Sequence, residues 1–526
     1  MAERKRRGFW GFVRGILRGI NVLRLVIINV VFFGVLLVLL ALASHHRAPL
    51  LDDTVLVLHP QGQLVEQFSA SPTSRALAAL SGQGTHQVRV RDLVAAIDDA
   101  ATDKRISRIV LLPGDLSAGG FAALREVGQA LERFRATGKR VTVWAANLDQ
   151  SQYYLAAHAD RILIDPMGGV MVTGLSSYRL FYKGLLDKLG ASVHLFRVGK
   201  FKSAAEPYIL DHASDASKQE DSYWMGGLWT QWIDTVAKLR RLDPTTLQAE
   251  ISTFPERVES AGGDLAKVAQ NLRLVDGLAT RNQLLVMLRK QGVPAGDRGQ
   301  GIREVDMHGY LADVDPHPVR GTQADVAVVV AEGDIVAGMQ PPGRIGGAST
   351  AALIRRARLD KRVKALVLRV DSPGGQVFAA ENIRREVALT RKAGKPVVVS
   401  MGDVAASGGY WISMDANTIY AEPNTITGSI GIFGMLYSVP GTLAKLGIHS
   451  DGVGVGPLAG AFDVTRPLDP RVAAMVQATI NKGYHDFVSR VAQARGMSYS
   501  AVDAVAQGRV WTGKQALERG LVDKLG

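Results

Sequence analysis

One half of this 526-residue chain echoes the other. Asp103-Lys104-Arg105-Ile106, followed by an apolar run at 109–112, returns as Asp360-Lys361-Arg362-Val363 followed by an apolar run at 365–370, 257 positions on. The same spacing carries Tyr153-Tyr154 onto Tyr410-Trp411, Asp165-Pro166 onto Glu422-Pro423 and Leu189-Gly190 onto Leu446-Gly447. Gly138-Lys139-Arg140-Val141 meets Gly394-Lys395-Pro396-Val397 at 256. A period of that size is a domain-sized unit, so the chain should hold two copies of one architecture. Short apolar runs at 109–112, 141–145, 326–331, 367–370 and 397–400 alternate with helical segments, which predicts an α/β fold of parallel sheets covered by helices. The first copy is expected over residues 54–290 and the second over 322–526, joined by a Gly-, Pro- and Asp-rich linker at 291–321.

The copies differ where chemistry would sit. In Val398-Val399-Ser400-Met401-Gly402-Asp403-Val404-Ala405-Ala406-Ser407-Gly408-Gly409-Tyr410-Trp411, a buried strand runs into a turn of small residues and then a helix starting at or near Ser407. Unpaired N–H groups at a helix start carry partial positive charge and suit an oxyanion beside a serine nucleophile. At 257 the position of Ser407 falls on Gln150, and at 256 on Ser151; the aromatic pair favours Gln150, so the first copy lacks the nucleophile. A serine needs a base. His449 and His485 lie nearest in the second copy but in no triad context, and no Gly-x-Ser-x-Gly elbow is present. A buried lysine can also serve once burial lowers its pKa. Lys202, among Phe201, Ala204 and Ala205 of the first copy, is the natural candidate; the matching stretch Pro457-Leu458-Ala459-Gly460 has no lysine. Gly374-Gly375 follows the 365–370 strand and could turn a backbone N–H towards a substrate carbonyl, and Ser429 follows Gly428 in another tight turn.

Together, Asp371-Ser372-Pro373-Gly374-Gly375, the Ala405-Ala406-Ser407-Gly408-Gly409-Tyr410-Trp411 run, Thr427-Gly428-Ser429-Ile430-Gly431 and Phe201-Lys202-Ser203 with Glu206-Pro207 resemble signal peptide peptidase A of the long, two-copy type. The resemblance runs from the apolar N-terminal segment to the C-terminus. It implies a serine/lysine protease that cleaves remnant signal peptides and other hydrophobic peptides, on a Clp protease and crotonase type of fold. It implies further that Ser407 is the nucleophile, Lys202 the general base and Ser429 the hydroxyl orienting the lysine. Gly374, Gly375 and Gly408 would then supply oxyanion contacts, and a homotetrameric bowl would exclude folded proteins. Two rivals are an acyl-CoA enzyme of the crotonase type, whose Gly-rich turns also stabilise an oxyanion, and an inactive membrane scaffold.

The 19-residue stretch at 25–43 has Asn29 as its one polar side chain. At about 1.5 Å per residue it reaches roughly 28 Å, the thickness of a bilayer's hydrocarbon. Seven basic residues before it stand against one acid, Glu3, so +6 of the net charge of +13 belongs to residues 1–24. That tail is expected in the cytoplasm and the rest on the outer side of a bacterial inner membrane. Ala41-Leu42-Ala43 resembles a signal-peptidase site, but the apolar run exceeds a signal peptide's length, which favours an anchor. The remaining +7 carries no aromatic-interleaved basic motif, so no nucleic-acid partner is expected. No cysteine and no His-Glu-x-x-His cluster occur, and no metal or other cofactor is expected. Leu274 to Leu278 is followed by a helical stretch, whereas the similar Leu521 to Leu525 is followed by Gly526 alone; the resemblance implies a continuation there, so the chain is expected to be short or truncated.

Overall fold

The computed structural model describes residues 2–43, 49–81, 86–296, 299–314 and 325–526. They fall into two compact units, one ending at Leu51 and one spanning Asp52–Gly526. The first is dominated by one helix, α1 (Ala2–Ala43). The basic tail and the apolar stretch are therefore one continuous element. Within it Arg14–Leu37 is long and apolar enough, by length and composition, to cross a membrane. Val30 and Leu37 are each 66% exposed, a surface that water alone does not stabilise.

The second unit holds both copies. Copy one contains β1 (Thr54–Leu58), β2 (Ile106–Leu111), α2 (Phe121–Ala136), β3 (Arg140–Leu148), α3 (Gln150–Ala156), β4 (Arg161–Val170), β5 (Ser192–Val198), α4 (Asp215–Arg240), β6 (Gly277–Leu278), β7 (Glu304–Asp306) and α5 (Met307–Val314). Its parallel sheet has the order β7-β1-β2-β3-β4-β6. Copy two contains β8 (Asp325–Glu332), β9 (Val363–Ser372), α6 (Val377–Lys392), β10 (Val397–Ala406), α7 (Gly408–Ser413), β11 (Thr418–Ala421), β12 (Ile426–Gly428), β13 (Ile432–Ser438), α8 (Pro470–Arg495), β14 (Val510–Thr512) and β15 (Lys524–Leu525). Its sheet runs β8-β9-β10-β11-β15, again parallel, and β12 joins the far end of β10. Helices cover these sheets, which is why β1 is buried at every position.

The residues that carry the repeat are tertiary ties. Lys139 Nζ donates to the carbonyls of Ala100 and Asp103, and Lys395 Nζ to those of Ala357 and Asp360. Asp160 accepts the Val141 N–H as Asn417 accepts that of Val397. The fully buried Tyr153 and Tyr410 donate to the Leu274 and Leu521 carbonyls. A buried polar group without its partner costs about 1–3 kcal/mol, so replacing any of these side chains leaves a main-chain group unpaired at that cost.

The expected linker is folded in part. After 291–303 the chain returns to the first sheet, where β7 pairs with β1 (Val55↔Glu304), and Tyr310 of α5 is buried with its hydroxyl donating to Asp103. Copy one therefore continues to Val314. Gly, Pro and Asp mark a tight return as readily as a linker, and composition does not separate the two. Residues 44–48 of the connection before Thr54, 297–298 and 315–321 of the expected linker and 322–324 at the expected start of copy two lie outside the described residues.

The two copies also interlock. β5 of copy one pairs antiparallel with β13 of copy two, from Ser192↔Ser438 to Val198↔Ile432. On α4 of copy one, Glu220 accepts the Val510 N–H of β14 at 2.5 Å. The halves of the sequence are thus not separate bodies, and the loop after β5 is delivered into copy two.

Candidate active site

Ser407 sits where β10 hands over to α7. Its N–H donates to the Gly428 carbonyl at 2.9 Å, and its own carbonyl accepts the Trp411 N–H. Its backbone has φ +54° and ψ −113°, a region that costs a residue with a Cβ about 1–3 kcal/mol. Burial of Tyr410, Trp411 and Ile412 just behind it holds the turn in place. The result is a strained strand-to-helix corner reached without the Gly-x-Ser-x-Gly pattern.

The glycine turn after β9 packs against this corner. Gly374 and Gly375 have φ of +112° and +150°. A Cβ on Gly374 would lie 2.7 Å from the Gly408 nitrogen, and one on Gly375 2.1 Å from the Ile335 carbonyl oxygen, so neither tolerates a side chain. The Gly374 N–H donates to Ser372 Oγ at 3.2 Å. Those of Gly375 and Gly408 have no acceptor among the described residues.

Lys202 arrives on the loop that follows β5. Its Nζ donates to Ser407 Oγ at 3.0 Å, to Ser429 Oγ at 2.9 Å and to the Ser429 carbonyl at 3.0 Å. The residue is 6% exposed, and burial pushes its pKa down to about 8 against the opposing pull of the Glu220 carboxylate. Glu220 is itself pushed up to about 7, first by burial, with Asp221 adding to the rise and the Val510 N–H, Lys202 and Arg509 opposing it. Arg197 ties the loop down, donating to the Lys202 carbonyl at 3.1 Å and to the buried Glu206 at 3.2 Å. On the other side Gly508 packs against the lysine's backbone; a Cβ there would stand 2.6 Å from the Lys202 nitrogen. Ser429 is also strained, at φ +49°, and its N–H donates to the Arg509 carbonyl.

Ser407, Lys202, Ser429, Gly374 and Gly375 line one cleft of about 710 Å³. Neither His449 nor His485 reaches it. Sequence reasoning missed Glu220 and Gly508: one looks like any helix-surface acid and the other like any turn glycine until the copies interlock. Among the described residues no group of three or more His, Asp or Glu could hold a metal. Chemically, the arrangement is a hydroxyl within reach of an amine whose proton is loosely held, beside backbone N–H groups.

Protease 4 of Salmonella typhi is 41% identical to this chain over 99% of it and 85% of its own length. Protease 4 of Haemophilus influenzae is 36% identical, covering 96% and 83%. The pattern of peptidase family S49 matches residues 133–292 and 390–526, which include Lys202, Ser407 and Ser429. This chain belongs to peptidase family S49. Like other S49 members it is a serine protease, which sets aside the acyl-CoA enzyme and the inactive scaffold. A third S49 relative, the chloroplastic serine protease SPPA of Arabidopsis thaliana, is 29% identical over 81% of this chain and 62% of its own. Among solved structures, a mutant of ClpP1 from Listeria monocytogenes matches over 38% of this chain and 90% of its own, at 16% identity and a TM-score of 0.26.

Proposed function

We propose that the protein is a membrane-anchored endopeptidase in which Ser407 and Lys202 form a catalytic dyad, cleaving remnant signal peptides and other hydrophobic peptides. The observation that carries this reading is the 3.0 Å contact between Lys202 Nζ of one copy and Ser407 Oγ of the other. Neutral Lys202 takes the Ser407 proton as Oγ attacks the scissile carbonyl, and Ser429 holds the amine in line. The resulting oxyanion meets the N–H groups of Gly408 and Gly375, while Gly374, whose own N–H is held by Ser372 Oγ, shapes the turn instead of supplying the oxyanion donor expected of it. The protonated lysine returns its proton to the departing amine, and water repeats the cycle to release the acyl group. A cleft whose walls are so rich in exposed backbone suits an extended peptide held by main-chain hydrogen bonds.

The apolar α1 supports an anchor, with the basic tail in the cytoplasm and the protease unit on the periplasmic side of the inner membrane. Self-association has support in the repeat. The β5–β13 ladder joins copy one to copy two, and at the repeat spacing β5 corresponds to 449–455 and β13 to 175–181. Both counterparts lie outside any helix or strand and face solvent, with Val453 98%, Val455 95%, Tyr178 95% and Leu180 73% exposed. Pairing 449–455 of one chain with 175–181 of the next repeats the internal joint head to tail and builds a ring, read here as a homotetramer.

The experiment is digestion of a synthetic signal peptide and of a folded globular protein by the wild type, Ser407→Ala, Lys202→Ala and the double variant. The wild type should cut the peptide and leave the folded protein intact. Each single variant should lose at least about 10³-fold in kcat/KM, and the double variant little more, because the two groups act as one unit. Full activity in Lys202→Ala would overturn the dyad.

A further inference from the structure

Where copy two has its serine corner, copy one keeps a cavity of about 600 Å³. It is lined by Gly119 and Gly120 before α2, by Gln150 and Ser151 at the start of α3, and by the segment from Met171 to Leu175. At the repeat spacing Gln150 falls on Ser407 and Met171 to Leu175 on 428–432 around Ser429, while Gly119 and Gly120 stand immediately before α2 as Gly375 and Gln376 stand immediately before α6, at 256. Gln150 stands in place of the nucleophile, and its Oε1 accepts the Gly174 N–H at 2.9 Å. The chemistry is gone, yet the cavity has not closed.

Its other apolar walls are Phe121, the α4 side chains Trp224, Met225 and Leu228, and Val404 and Ile426 of copy two. The Asp149 and Asp403 carboxylates that also line it are engaged, accepting the N–H groups of Gln152 and of Ala122 and Ala123. Among them lies Asn424, 6% exposed, whose side-chain oxygen is buried without a hydrogen-bond partner. Such a group costs about 1–3 kcal/mol and calls for a reason. Trp224 and Ile426 line both this cavity and the Ser407 cleft, so the two spaces meet there. Gly428, whose carbonyl holds the Ser407 N–H, is four residues from Asn424. That is no more than about 13 Å of chain, the reach of four or five extended residues at about 3.3 Å each.

We propose that the vestigial cavity of copy one is a second, non-catalytic peptide site, which grips an apolar stretch of the substrate four or more residues from the scissile bond through the Asn424 amide. The proposal rests on Ser407 being the point of cleavage. A carboxamide presents an acceptor and a donor side by side and so matches the N–H and C=O of an extended peptide, while the surrounding walls match hydrophobic side chains.

Two peptides sharing one scissile bond test it: a short one with two residues on either side, and a long one with eight apolar residues on either side. Asn424→Leu removes the polar grip and Met225→Trp fills the cavity. With full-length protein, each variant should lower kcat/KM on the long peptide about tenfold, mainly through KM, and change the short one by less than about twofold, as expected for loss of one buried hydrogen-bonded contact. Equal losses on both peptides, or none on the long one, would overturn the site. Independently, a long peptide with a photoreactive side chain five residues from the scissile bond should crosslink to Met171 or Met225 in Ser407→Ala; labelling elsewhere alone counts against it. Should Ser407→Ala still cleave, the reading of the catalytic cleft fails instead, a result distinct from a length-independent Asn424→Leu.

Discussion

At the scale of single residues, the site trades stability for reactivity. Lys202 is buried with a pKa of about 8 against an ordinary 10.5. Its folded-state value is the lower one, so between pH 8 and 10.5 the unfolded chain binds more protons and stability rises with pH; below 8 the folded protein bears the full burden of a buried cation. Lys202→Met should therefore raise thermal stability at pH 7, by on the order of 1–3 kcal/mol, with the gap to wild type shrinking towards pH 10.5. Activity should follow the neutral amine, climbing with pH through about 8, and Lys202→Arg should be inactive because arginine keeps its proton. Unfolding scans and a pH–rate profile check both; a profile flat across this range would contradict the role given to the lysine. Ser407 and Lys202 were singled out in the sequence because the copies diverge at those positions, and Ser429 through the resemblance. Asn424 and Glu220 were not, since their meaning lies in what the fold sets opposite them.

Among the elements, the loop after β5 and the antiparallel β12–β14 pair decide the geometry. Gly508 (φ +80°) abuts the lysine's backbone, and Ser429 is held by the Arg509 carbonyl next along the chain. A methyl group at Gly508 must displace Lys202 or the segment leading into β14. Gly508→Ala should thus cut kcat by about 10²-fold or more, as small misplacements of reacting groups do, at about 1–2 kcal/mol of stability, the usual scale for strain at a positive φ. Steady-state kinetics beside denaturant unfolding separate the two effects. That the sheets are parallel was foreseeable from the alternation of apolar runs with helical segments. The continuation of copy one through β7 and α5 was not, because three strand residues after a Gly- and Pro-rich return carry too little periodicity to read.

At the scale of the whole molecule, the β5–β13 ladder joins the copies within the chain and leaves its counterparts open at both ends. If those ends pair between chains, a charge on either should stop the ring. Val453→Glu with Val455→Glu, and separately Tyr178→Glu with Leu180→Glu, should reduce the mass found by light scattering to that of a single chain, with the fold retained by circular dichroism. Unchanged assembly would exclude this edge. Sequence reached the expectation of a ring through resemblance alone; the matching of 175–181 to 449–455 needed the observed ladder between β5 and β13.

The delivery of Lys202 into copy two has a consequence for control. A protease that borrows its base from a neighbouring subunit falls silent when diluted, because dissociation separates the two groups. Here both groups travel on one chain, fastened by the internal ladder, and dissociating the ring would leave every lysine beside its own serine. Dilution then offers the cell no way to switch the enzyme off. Under the proposed anchor and ring, restraint falls to what can reach the cleft: the membrane that presents the peptides and the walls that turn folded chains away.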